Sequence, residues 1–123
     1  MIRFAFGILC AAVLTGSALA ILYARGAQPW PPHRAAAPIH GMLGAAGLVA
    51  LVLALVRGLP RSHMGTGGFA PLATGLVAAA FCLGLVLALT SWHRGRPAGA
   101  LVGAHASLAI AGFVVLSVLV ALG

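Results

Sequence analysis

Between its arginines the chain runs four times through an uncharged apolar stretch: Phe4 to Ala24, Ala35 to Val56, Phe69 to Trp92 and Ala98 to Gly123. A bilayer's hydrocarbon core is about 30 Å thick, and around 20 helical residues cross it. Each stretch is long enough. In lipid, every backbone N–H and C=O must find its partner within the segment, which leaves the helix as the spanning form here. The expected fold is all-α: one integral membrane domain over residues 1–123, an up-down bundle of four transmembrane helices at about 4–24, 35–56, 69–92 and 98–122.

Composition closes the soluble alternative. The chain is 63% hydrophobic and 6% charged, and its charge comes from seven arginines, with no Asp, Glu, Lys or Asn. A water-soluble surface needs several times that charge. The missing carboxylates also exclude paired-carboxylate hydrolysis, a calcium or magnesium cage, and a proton relay through intramembrane acids. The formal net charge of +7 does not point to nucleic acid, because the arginines flank apolar segments and do not cluster on one soluble face. Membrane topology and lipid phosphate account for them.

The first stretch imitates a secretory signal, with Arg3 before it and Ala18-Leu19-Ala20 inside it. The apolar run continues through Ile21, Leu22 and Tyr23, so it reads as a retained helix. The connection from Arg25 to Arg34 is rich in proline, the one from Arg57 to Gly68 rich in glycine, and His93-Arg94-Gly95-Arg96-Pro97 is tight. Gly65-Thr66-Gly67-Gly68 has no lysine and no preceding strand, so it is a linker and not a phosphate loop. Tyr23, Trp30 and Trp92 fall at one membrane face with Arg25, Arg34, Arg94 and Arg96, as interfacial aromatics do. The other face carries Arg3, Arg57, Arg61 and the terminal amine, so charge alone does not orient the chain.

A shift of 65 residues lays His40 on His105, Leu43 on Leu108, Ala46 on Ala111, Gly47 on Gly112 and Leu51 on Leu116. A second echo sets Tyr23-Ala24-Arg25-Gly26 beside Trp92-His93-Arg94-Gly95 at a shift of 69. Together they describe a parallel repeat of two helical hairpins. The repeat puts both histidines roughly 24–27 Å from the far face at the helical rise, about one turn inside the aromatic-rich face.

A buried imidazole needs a partner for each nitrogen, and an ionisable residue inside a membrane helix is a functional candidate by default. With no carboxylate in the chain, the partners are a backbone carbonyl, a hydroxyl, the other histidine or a metal centre. The functional reading is axial ligation of a haem b between the second and fourth helices by His40 and His105. Gly44 and Gly47 share the stripe of His40, and Ala109 and Gly112 that of His105. Small residues there would let a flat macrocycle approach. Arg34, Arg94 and Arg96 fall on the same face, placed to pair with haem propionates.

Each feature also has a plainer reading. Glycine and alanine stripes are the ordinary means of close helix packing in lipid, and two intramembrane histidines can hydrogen-bond across helices as structural glue. His33, His63 and His93 lie in connections and read as headgroup-level residues. A copper site adding Met42 is disfavoured because Met42 leaves the stripe of His40. Cys10 and Cys82 read as small apolar residues, and Thr15, Ser17, Thr74 and Ser117 as bonding their own helix backbones.

The layout resembles small four-helix membrane b-type cytochromes in general architecture, without a diagnostic motif. The expectation is a small membrane protein of an electron-transfer system, exchanging electrons with a quinone or a partner subunit. It is more an electron-transfer or accessory subunit than an enzyme on its own. The alternative is a cofactor-free accessory or structural subunit of a larger respiratory or photosynthetic membrane complex, or a homo-oligomer. Membrane lipids surround it in either case, and the bacterial inner membrane is the expected location.

Overall fold

A computed structural model of the chain describes residues 1–26, 31–58, 68–94 and 98–122, with side chains described for all of these except 31–34 and 92–94. Four helices make up the fold: α1 (Ile2–Ala24), α2 (Pro31–Val56), α3 (Phe69–Arg94) and α4 (Gly99–Leu122). Each is long and apolar enough to cross a membrane. The chain is a small integral membrane protein built as a four-helix bundle.

The helices outrun the uncharged stretches at several ends. α1 starts at Ile2 and includes Arg3, α2 starts at Pro31, and α3 continues to Arg94. Arginine ends a hydrophobic run but is a good helix former. Proline in the first turn costs no backbone bond, because that N–H has no helical acceptor anyway. The additional turn before Ala35 lengthens α2 beyond its apolar span, Ala35–Val56, without moving His40 along that span. His40 stands nine residues beyond Pro31, and His105 six beyond Gly99, so the pair lies roughly two turns inside the helix ends.

α1 packs most extensively on α2 and α3 on α4; thinner seams between α2 and α3 and between α1 and α4 close the ring. α2 and α4 therefore face each other across the diagonal. Two contacts tie the ends together. Arg57 Nη1, just past α2, donates to Met1 Sδ at 3.0 Å, and a Cβ built on Gly99 would stand 3.8 Å from the Tyr23 hydroxyl. The bundle thus has a termini face, where α1 begins and α4 ends, and a connection face, where α1 and α3 end and α2 and α4 begin.

Burial is uneven along the bundle axis. The buried residues run from 5 to 12 in α1, 47 to 54 in α2, 70 to 80 in α3 and 112 to 119 in α4. All of these lie in the half towards the termini face. There Leu51 and Leu116 are wholly inaccessible, and the rings of Phe6 and Phe113 stack at 5.2 Å between centroids. In the half towards the connection face no described residue is buried.

The two hairpins repeat each other in three dimensions. Residues 68 apart in α1 and α3, and 65 apart in α2 and α4, occupy matching places: Ala5 with Ala73 and Leu51 with Leu116 have no exposure at all. A Cβ on Gly47 would meet Leu9 and Ile8, and one on Gly112 would meet Val77 and Leu76. The α1–α3 register is therefore 68, one residue away from the echo around Tyr23, and the first connection is longer than its counterpart by three residues.

Candidate histidine site across the bundle

Each histidine of the pair is anchored by the neighbouring helix of its own hairpin. His40 Nδ1 lies 2.9 Å from the Ala12 carbonyl oxygen, and His105 Nδ1 lies 2.7 Å from that of Ala80. A carbonyl oxygen only accepts, so Nδ1 is the donor in both rings. In the neutral imidazole this leaves Nε2 as the nitrogen with a free lone pair.

Glycine makes the approach sterically possible. The accepting carbonyl sits one turn before Gly16 in α1 and one turn before Gly84 in α3, so the i+4 residue stands directly beside the bond. A Cβ at position 16 would lie 2.7 Å from His40 Cε1, and one at position 84 would lie 3.1 Å from His105 Cε1. The first distance is a clash and the second a tight contact. Both rings rest flush on a helix surface that lacks a side chain at that point.

The two rings meet across the diagonal. Their centroids are 5.9 Å apart with the planes at 87°. Both residues are half-buried. Among the described residues no hydrogen bond reaches either Nε2, yet no buried side-chain nitrogen or oxygen is left without a partner. The hairpins differ at one place: Thr15 Oγ lies 3.4 Å from His40 Nδ1 and also donates to the Ala11 and Ala12 carbonyls, each at 2.9 Å. The matching position in α3 is Leu83, which has no hydroxyl.

The other candidates fall as follows. Gly47 and Gly112 seat the side chains of Leu9 and Val77, so they close the two hairpin seams and do not border the gap between the rings. Gly44 stands 3.7 Å, from the position of its absent Cβ, from Phe81 of α3. Gly44 and Ala109 are both half-buried. Arg34 and Arg94 belong to the helical ends of α2 and α3, with side chains outside the description, and Arg96 lies outside the described residues. Of the remaining histidines, His63 lies outside the described residues, as do the side chains of His33 and His93.

Met42 is exposed, and Cys10 and Cys82 are free thiols on α1 and α3. Thr74 and Ser117 bond the carbonyls one turn earlier, both at 2.8 Å. Among the described residues no three metal-ligating side chains gather at one place.

Ala12, Gly16, Ala80 and Gly84 are the site residues that sequence reasoning passed over. Their signal is present as an Ala-x-x-x-Gly motif at 12–16 and again at 80–84. It becomes visible only at the 68-residue register. Compared with family models, curated proteins and solved structures, the chain matches none.

Proposed function

We propose that the protein binds one haem b between α2 and α4, with Nε2 of His40 and of His105 as axial ligands, and serves a membrane electron-transfer system. The observation that carries the reading is the ring pair itself, with centroids 5.9 Å apart and both Nδ1 atoms committed to carbonyls. A group held by both residues would need the two imidazoles within a few ångströms of each other. The observed spacing fits.

When bound, haem supplies one-electron chemistry at a potential set by its ligands and surroundings. The chain's own residues do the rest. The Ala12 and Ala80 carbonyls hold each imidazole in the Nδ1–H tautomer, orient it and raise its basicity, as outer-shell acceptors do for ligating histidines. Gly16 and Gly84 admit the rings. Arg34, Arg94 and Arg96, by their sequence positions on the connection face, are the cations for the propionates in a chain without competing carboxylates. Quinone or a partner subunit is the electron partner, and the bacterial inner membrane is the setting.

The test is a reduced-minus-oxidised visible spectrum of the protein purified from cells supplied with haem. The expected result is b-type bands at one haem per chain, lost in His40→Ala and in His105→Ala while circular dichroism still reports full helix. A colourless wild-type protein that co-purifies in fixed ratio with a larger assembly would overturn this reading and leave the cofactor-free accessory subunit.

A further inference from the structure

Beside the α1–α2 seam the surface is hollowed into an open groove of about 410 Å³, lined by Arg3, Phe4, Gly7, Ile8, Ala11 and Leu43. A Cβ on Gly7 would meet nothing within 4 Å, so bare backbone forms part of its floor. The second hairpin carries nearly the same surface. At the repeat's registers Gly7, Ala11 and Leu43 recur as Gly75, Ala79 and Leu108, Ile8 as Leu76 and Phe4 as Leu72. Residues 3–10 and 71–78 share one pattern of exposure, and Gly75 too faces open space. The difference is charge: Arg3 is matched by Pro71, and Arg57 by Leu122.

Both cations stand at the same end of the first seam. Arg3 is exposed near the start of α1, and Arg57 lies against Met1, two residues before it, through its 3.0 Å contact with Sδ. The chain contains no Asp or Glu side chain to neutralise them. An arginine at the end of a span lays its stem on the apolar surface and lifts its charge to headgroup level. Its planar fork of N–H donors matches phosphate oxygens. From Arg3 to Ala11 the lining descends eight residues, about 12 Å at the helical rise. One leaflet's share of the hydrocarbon core is about 15 Å, so the groove has the depth of a single acyl chain.

We propose that this groove binds one anionic phospholipid of the leaflet at the termini face. Its phosphate sits on Arg3, with Arg57 as the second cation, and one acyl chain lies along Gly7, Ala11 and Leu43. Charge complementarity selects the occupant. An apolar helix of another protein would cover the slot and leave both guanidinium groups unneutralised, whereas an anionic lipid supplies the chain and the charge together. The α3–α4 surface, with its slot residues and no cation, has no such preference. The proposal is independent of the haem reading.

The test titrates the full chain in detergent with phosphatidylglycerol or with phosphatidylcholine of equal chain length, counting retained lipids by native mass spectrometry. The first phosphatidylglycerol is expected at a concentration at least about fivefold below the first phosphatidylcholine, the scale of one interfacial cation. Arg3→Gln should remove most of that preference. Gly7→Leu, which fills the slot from a position with free space, should weaken retention of the first lipid, and Gly75→Leu should leave it unchanged. Water-soluble glycerol phosphate in excess should not displace the lipid; displacement would reduce the site to one for free phosphate and overturn the proposal. Equal retention of the two lipids, a preference that survives Arg3→Gln, or equal damage from Gly7→Leu and Gly75→Leu would also overturn it. So would a lipid-free dimer that Gly7→Leu dissociates, since a second copy would then fill the groove.

Discussion

At the scale of single residues, the site depends on two missing side chains. Gly16 and Gly84 admit imidazoles to the carbonyls of Ala12 and Ala80, but their tolerances differ. A methyl at 16 would stand 2.7 Å from His40, against 3.1 Å between one at 84 and His105. Overpacking of this kind costs about 1–3 kcal/mol. Gly16→Ala should therefore lower thermal stability in detergent and haem occupancy more than Gly84→Ala does. Equal effects would show that the glycines do not set the ring positions.

Thr15 supplies a second contrast. Its hydroxyl shares the Ala12 carbonyl with His40, and Leu83 in the other hairpin has none. Thr15→Val should strengthen the Nδ1–H bond of His40, make that imidazole the better donor to ferric iron, and shift the midpoint potential downwards in a redox titration. Leu83→Val should leave the potential where it is. The equal depth of the two histidines was legible in the sequence, because a polar side chain stands out in an apolar stretch. Gly16 and Gly84 were not, because one glycine among many in an alanine- and leucine-rich helix carries no mark of what rests on it.

At the scale of helices, the seams of the two hairpins explain the glycine stripes. Gly47 and Gly112 lie about two turns beyond the histidines, where sequence spacing put them on the macrocycle's side. The structure fills both places with neighbouring side chains, since the face a residue presents also depends on which neighbour packs there. Gly47→Ala would bring a methyl to 2.6 Å from Leu9 Cγ, which something must yield to accommodate. Shortening the partner should compensate. The double variant Gly47→Ala/Leu9→Ala should be less destabilised than the two single changes add up to, a coupling on the order of 0.5–3 kcal/mol. Strict additivity in a denaturation assay would mean that this seam is looser than it looks. The four spans themselves were readable because charge is confined to their ends. Their full lengths were not, since proline and arginine mark the edge of the hydrocarbon and not the end of a helix.

At the scale of the whole molecule, the asymmetry of burial predicts an asymmetry of motion. Local opening is easiest where buried apolar contacts are few. In the haem-free protein, amides at 13–26, 35–46, 81–91 and 98–111 should exchange with solvent deuterium faster than those of the half towards the termini face. A ligand that binds only the folded state stabilises it by mass action. Haem loading should accordingly raise the unfolding temperature and slow exchange mainly in the half towards the connection face. Uniform exchange along all four helices, before and after loading, would contradict both the uneven packing and the site's place in the less buried half. Part of this gradient was legible in the sequence, because the Leu- and Val-rich runs at 48–56 and 113–122 lie in one half and His40, His105 and Pro38 in the other; which side chains meet in the middle was not.

Because His40 leans on α1 and His105 on α3, neither ring borrows its support from the opposite hairpin. Each half of the chain is a finished cradle for a single imidazole and an unfinished clasp for anything gripped from two sides. Severing the polypeptide in its glycine-rich middle and producing the two pieces together should therefore rebuild a working grip. Either piece expressed alone should supply one imidazole and no second ring to meet it.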